Sequence, residues 1–343
     1  LLAVASSVPI LQLASLGYLL DVARRIADNQ PNESKLPGLA KAGRLGVVVS
    51  SVFLTWLPIW LICDVAYTAH LISPNSTQAM GWTVAAISMT GVWLVHSVWA
   101  LLRGGRWYHF LWPAPIRFVK QIWRSETWRA GEDALWNYTV NLELWRLGWL
   151  GFRAGAAALI WLAVPGVLVV TGMGAHDRPA LVLIGLFGAM MMSVVLLYLP
   201  YLQVQLAQRN RFRAAFDVRS VRETFKHAPV AVFVSLFVTL LFAIPLYLFR
   251  IESLPTEVLW LPCLFFVLFA LPARALTGWA MRRGQRDRPR RHWVVRYFAW
   301  GLQVACLPPY IGFMYLATLA SWDGVLIVFF QHAFLVPVPL AGN

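Results

Sequence analysis

Residues 180–203 read ALVLIGLFGAMMMSVVLLYLPYLQ, and the 23 residues that follow, VQLAQRNRFRAAFDVRSVRETFK at 204–226, carry six Lys and Arg. An uncharged helix of that length covers the ~30 Å of a bilayer's hydrocarbon, and a dense positive segment beside it resists transfer to the outer face. The pair therefore reads as a membrane span ending on the cytoplasmic side. The same pattern extends in both directions. Apolar runs lie at about 1–20, 46–67, 80–102, 154–173, 180–203, 228–249, 257–281 and 297–320. Of the 29 Lys and Arg, 26 fall in the connectors after the first, third, fifth and seventh runs, which carry five, eight, six and seven. The other three connectors hold none, Arg178 and Arg250. The expected fold is an all-α polytopic bundle of about eight spans. It is organised as one integral membrane domain over 1–343, with amphipathic helices on the cytoplasmic side.

Composition agrees, since 59% hydrophobic and 13% charged residues with a mean hydropathy of +0.63 lie far from soluble-domain averages. The net charge of +14 sits in short loops beside spans, where anionic headgroups are the nearest partner. That placement argues for lipid and against nucleic acid. Cys63, Cys263 and Cys306 all fall inside apolar runs, without metal-site or disulfide-framework spacing. The chain opens at Leu1 within an apolar run and without Met, so some upstream sequence is expected.

The basic connectors have a helical period. Arg117, Lys120, Gln121 and Arg124 form a polar stripe, with Ile116, Val119 and Trp123 on the opposite side. Leu135, Tyr138, Leu142, Trp145 and Trp149 form a second stripe behind Glu132 and Asp133, a pair suited to a helix N-terminus. Ala214, Val218, Val221 and Phe225 oppose Arg219, Arg222, Glu223 and Lys226 in a third. Such helices are expected to lie in the interface plane with the apolar face down. Eight of the 18 tryptophans fall between Trp99 and Trp149, and indole favours the headgroup layer. The candidate lipid or partner contacts are thus Arg117, Lys120, Trp123, Arg124, Trp128, Trp145, Trp149, Arg219 and Arg222. The segment 103–153 is read as a Trp/Arg-rich cytoplasmic connector. Residues 324–340, an apolar run broken by Gln331, His332, Pro337 and Pro339, are read as re-entrant or interfacial.

Within the spans the ionisable groups are Asp64, His96 and Arg274, all away from the span centres. Anchoring at the interface or a hydrogen bond inside the bundle is expected ahead of proton relay. Gln12 and Gln303 are the most central strong polar groups and suit interhelical bonding. Gly151-x-x-x-Gly155 fits a close helix contact. Asp217 is placed to cap a helix beginning at Val218, and Pro229 to start the sixth span. No zinc-protease, nucleophile-elbow, P-loop or dinucleotide motif occurs, and the seven histidines are scattered. No cofactor, metal or catalytic residue is expected.

Two segments carry a resemblance. PIL at 9–11, LGYLL at 16–20 and VARR at 22–25, together with RFRAAFDVR at 211–219, resemble a bacterial polytopic membrane family known as domain of unknown function 4013. The resemblance implies an integral membrane protein and supplies no catalytic residues. The functional expectation is a non-enzymatic inner-membrane scaffold or accessory subunit, contacting anionic headgroups and a protein partner. The alternative is a transporter or channel for a small or lipid-like molecule.

Overall fold

The computed structural model describes residues 9–74, 76–141, 143–173, 179–251, 260–286 and 289–320, and these are helical with no strand. In chain order the helices are α1 (Pro9–Ala27), α2 (Asn32–Lys35), α3 (Leu39–Ile72), α4 (Thr77–Leu102), α5 (Trp107–Leu111), α6 (Pro115–Gln121) and α7 (Ser125–Asn141). They continue with α8 (Leu144–Met173), α9 (Pro179–Arg209), a 3-10 turn at Phe212–Phe216, α10 (Val218–His227), α11 (Pro229–Ile251), α12 (Trp260–Gln285) and α13 (Trp293–Ala320). The apolar runs are long enough that bundle helices continue through internal prolines: Pro58 lies within α3, Pro165 within α8 and Pro245 within α11.

Among the described residues, five helices carry stretches long and apolar enough to cross a membrane: Gly43–Ile72, Thr77–Leu102, Leu144–Gly172, Pro179–Arg209 and Leu264–Gln285. A sixth is reached if α10 and α11, bent by 111° at their junction, count as one span. The protein is thus an all-α, multi-pass membrane bundle. The expected first and last spans correspond to α1 and α13, which are not among these five over their described residues. Residues 324–340 lie outside the described residues, as do Asn75, Asp177, Glu252 and Arg288 of the connectors.

The chain forms two compact units, Gly38–Glu143 and Leu2–Pro37 with Leu144–Asn343. The first is the hairpin α3–α4 with three short helices. Trp93 packs on Trp56 at 4.8 Å between ring centroids and donates its indole N–H to Thr55 Oγ1 at 3.1 Å. His96 Nε2 meets the Phe110 carbonyl at 2.7 Å, tying α4 to α5. Trp99 is buried, with Phe118 of α6 against it edge-on at 5.4 Å. Only 6% of the most apolar stretch of α3 is buried, and Phe53, Leu54, Trp60 and Leu61 are exposed.

The second unit contains the larger core, with Leu19, Leu162, Met192, Leu199 and Leu236 nearly inaccessible. Helix α1 packs on α8 and α12, α8 pairs with α9, and α11 contacts α12 and α13. Small residues allow these contacts. A Cβ on Gly17 would overlap the Leu147 carbonyl, and one on Gly151 would overlap that of Leu13, so α1 and α8 cross with their backbones touching. Gly151 of the expected small-residue pair thus does pack against another helix, and that helix is α1.

The second amphipathic stripe is not one helix. Glu143 takes a left-handed backbone at φ 49°, ending α7 at Asn141 and starting α8 at Leu144, ten residues before the expected fourth span. Trp145 and Trp149 therefore sit in the first two turns of a long span helix.

Candidate functional site

The first stripe forms only two turns of helix, because α6 ends at Gln121 and α7 begins at Ser125. Arg117, Lys120, Trp123 and Arg124 are all exposed, and so are Ile116 and Val119 across from the charges. The apolar side of α6 is consequently left open apart from Phe118. Trp128 on α7 is exposed on one side and donates its indole N–H to the Ile122 carbonyl at 2.9 Å, holding the α6–α7 corner.

The other predicted contacts belong to the second unit. Trp145 is 86% exposed, whereas Trp149 stacks on Phe152 at 5.6 Å with the Arg153 guanidinium 5.9 Å from its ring. On α10, Arg219 is exposed, while Arg222 lies over Tyr198 and donates to its hydroxyl at 3.3 Å. The apolar side of α10 faces protein: Val221 is fully buried, and Phe225 stacks on Tyr198 at 5.5 Å and meets Tyr201 edge-on at 5.2 Å. Its hydrophobic stripe is satisfied by the bundle, which leaves Arg219 and its charged neighbours as the outer face.

Asp217 caps α10 as its position implies, accepting from the Ser220 amide at 3.2 Å and from Arg209 Nη1 at 2.8 Å. Those bonds, Arg209's foremost, hold its carboxyl below the usual carboxylate value. The RFRAAFDVR segment is therefore a joint: Trp161 on α8 donates to the Ala215 carbonyl at 3.0 Å, and Arg153 donates to the Asn210 carbonyl at 3.1 Å. Its role in the fold is to turn α9 into α10 while gripping α8.

Three polar clusters join parts of the second unit. Asp21 is fully buried on α1 and accepts from Arg24 Nη2 and Arg25 Nε, each at 2.7 Å, with Arg146 of α8 at 3.6 Å. Its i+3 and i+4 arginines were visible in the sequence, but they count there simply as connector charge. Arg274, for which anchoring at the interface or a hydrogen bond inside the bundle is expected, takes the second: it is 2% exposed and donates to Gln203 Oε1 at 2.8 Å, while Gln203 donates to the Ala154 carbonyl at 3.2 Å. Helices α8, α9 and α12 surround Arg274 closely enough to keep it inside the bundle. Gln208 joins Asp28 at 2.7 Å and Gln285 at 3.2 Å. Asp64, by contrast, is exposed on α3.

A pocket of about 220 Å³ opens where the end of α10 meets the first half of α13, lined by Phe225, Lys226, Arg296, Tyr297, Trp300 and Gln303. Gln303 is 2% exposed and donates Nε2 to the Pro229 carbonyl at 3.3 Å, the interhelical bond expected of it. No group of His, Cys, Asp and Glu that could hold a metal occurs among the described residues.

These helices, joints and clusters include the segment that decides the comparison with known families. Residues 129–251 match the family described as Protein of unknown function (DUF4013). The match takes in the RFRAAFDVR joint and runs from within α7 to the end of α11. The second resembling segment, at 9–25, lies outside the matched residues, yet it forms α1 and packs into the same unit against α8. No curated protein and no solved structure matches the chain.

Proposed function

We propose that the protein is a non-enzymatic scaffold or accessory subunit of a complex in the bacterial inner membrane, with its basic connectors on the cytoplasmic face against anionic headgroups. The observation that carries this reading is α3, a membrane-length helix with only 6% of its most apolar stretch buried. A helix packed on one side alone has the rest of its surface available to lipid or to another protein's helix, and the aromatic residues Phe53 and Trp60 on that surface are good anchors for a helix partner. The exposed Arg117, Lys120 and Arg124 beside Trp123 supply the combination of charge and indole that suits a headgroup layer.

Extraction of the native membrane in mild detergent, followed by native mass spectrometry, tests the proposal. A stoichiometric protein neighbour that is lost in a Phe53→Ser, Trp60→Ser variant is the expected result. Recovery of the chain only by itself, with those two changes silent, would refute it. The buried Arg274 favours one second reading, a carrier for a small or lipid-like molecule, because an ionisable group held inside a bundle is costly and is commonly retained for function. Substrate-stimulated flux through reconstituted protein that is abolished by Arg274→Met would support that reading over the scaffold.

A further inference from the structure

One residue lining the pocket between α10 and α13, Gln303, carries a buried acceptor with no donor among the described residues. The Pro229 carbonyl can only accept, so the Gln303 amide must turn its NH2 toward it, and Oε1 then points the other way. That oxygen is buried and receives no hydrogen bond from any described residue. A buried acceptor of this kind is normally satisfied by a ligand or an ordered water, because leaving it bare in apolar surroundings is unfavourable. The remaining lining says which ligand. Arg296 has no ion pair among the described residues, and Lys226 is paired with Glu223, which also meets Arg290 at 3.5 Å. Trp300 and Tyr297, 55% and 65% exposed, and Phe225 form the apolar walls. The site thus offers positive charge, one hydrogen-bond acceptor and aromatic sides, at a volume below the ~300 Å³ where drug-sized pockets begin.

We propose that this pocket holds the glycerophosphate head of an anionic membrane lipid, its phosphate on Arg296 and Lys226 and a glycerol hydroxyl donating to Gln303 Oε1. Phosphate suits a guanidinium and an ammonium presented together, and the hydroxyl supplies the donor that the fold leaves out. The acyl chains have no room in about 220 Å³ and run outside it, along the bundle. The site rests on the basic ends of α10 and α13 lying at the headgroup layer. It does not depend on the scaffold role or on the α6 surface.

The test uses the full chain in detergent, monodisperse by size exclusion, titrated with phosphatidylglycerol, phosphatidic acid or phosphatidylcholine and read by native mass spectrometry for retained lipid. Arg296→Gln is expected to weaken both anionic lipids by about tenfold, the scale of a lost charge-assisted bond. Gln303→Leu is expected to weaken phosphatidylglycerol about fivefold and to spare phosphatidic acid, which has no glycerol hydroxyl in its head. Soluble glycerol 3-phosphate is included as competitor, and displacement of the lipid by it at millimolar concentration would assign the site to a free metabolite and overturn the lipid claim. Equal retention of phosphatidylglycerol by wild type, Arg296→Gln and Gln303→Leu would overturn the site. Arg117→Gln serves as the control for the separate α6 surface: loss there with no loss at Arg296 rejects this pocket while leaving the proposed inner face standing.

Discussion

Replacing Asp21 by Asn tests whether the buried carboxylate holds α1 in the bundle. The carboxylate accepts three hydrogen bonds, two from Arg24 and one from Arg25, and Arg146 of α8 completes the cluster. At ~1.5–3 kcal/mol for each bond to a charged group, a simple sum would exceed the ~3–5 kcal/mol found when one partner of a buried ion pair is removed. The lower range is the better guide, because Arg24, Arg25 and Arg146 are 20%, 18% and 50% exposed and can turn toward water once released. Asn keeps an acceptor for Arg24 but turns an NH2 toward Arg25, so about 3 kcal/mol should be lost. For a unit of this size ~1 kcal/mol moves Tm by ~2–4 °C, giving a fall of about 6–12 °C. The assay is loss of the monodisperse peak after heating in detergent at one fixed scan rate, since unfolding of such a protein is expected to be irreversible. An apparent Tm within 1 °C of wild type would refute the reasoning.

Three other outcomes follow from the same geometry. Gly151→Leu should abolish the α1–α8 crossing, because even a Cβ there overlaps the Leu13 carbonyl, and the variant should be recovered as aggregate by size exclusion while Gly148→Leu, where a Cβ meets nothing within 4 Å, is recovered intact. Asp217→Ala should cost ~1 kcal/mol through loss of the α10 cap. Because the folded pKa of Asp217 lies below 3.8, its stabilisation is complete above that value and is lost as pH falls through the folded pKa, so the gap between wild type and variant should close at acid pH in a thermal-shift series. Cysteines placed singly at Ser220 and Ser76, in a chain lacking Cys63, Cys263 and Cys306, should give labelling by an impermeant thiol reagent on spheroplasts at Ser76 and protection at Ser220; the reverse would overturn the orientation.

The spans were legible because an apolar run of membrane length has few other uses, and α3, α4, α8, α9 and α12 lie where the runs are. The cap at Asp217 was legible too, since it depends only on a carboxylate standing one residue before a helix. Other features depend on distant partners and left no local trace. Asp21 and Arg146 are paired by the α1–α8 contact, which is set by backbone approach at Gly17 and Gly151. Arg274 lies away from the centre of its own helix, but its burial is set by α8 and α9 and by the Gln203 side chain between them. The stripe across 135–149 misled for a different reason: helical period continues through Leu142 and Glu143, and nothing in a hydrophobic pattern records a left-handed backbone at a residue other than glycine. The candidate lipid contacts were chosen by charge and indole content, which locate an interface but do not distinguish Arg219, open on α10, from Arg222, already folded onto Tyr198.

The arrangement of the chain gives synthesis a timetable. Helix α1 leaves the ribosome well before the partners it packs on, because Gly151, which its backbone touches, and Arg146, its ion-pair partner, come only after the whole of the Gly38–Glu143 unit. At ~5–20 residues per second that delay is on the order of ten seconds. Gly278, which packs against the Ala23 carbonyl, arrives later still. Throughout that interval Gly17 lacks the backbone it packs on, and Asp21 has Arg24 and Arg25 of its own helix without Arg146. A nascent chain arrested before Gly151 is expected to crosslink from position 17 to the insertion machinery, whereas one arrested after α8 has emerged is not.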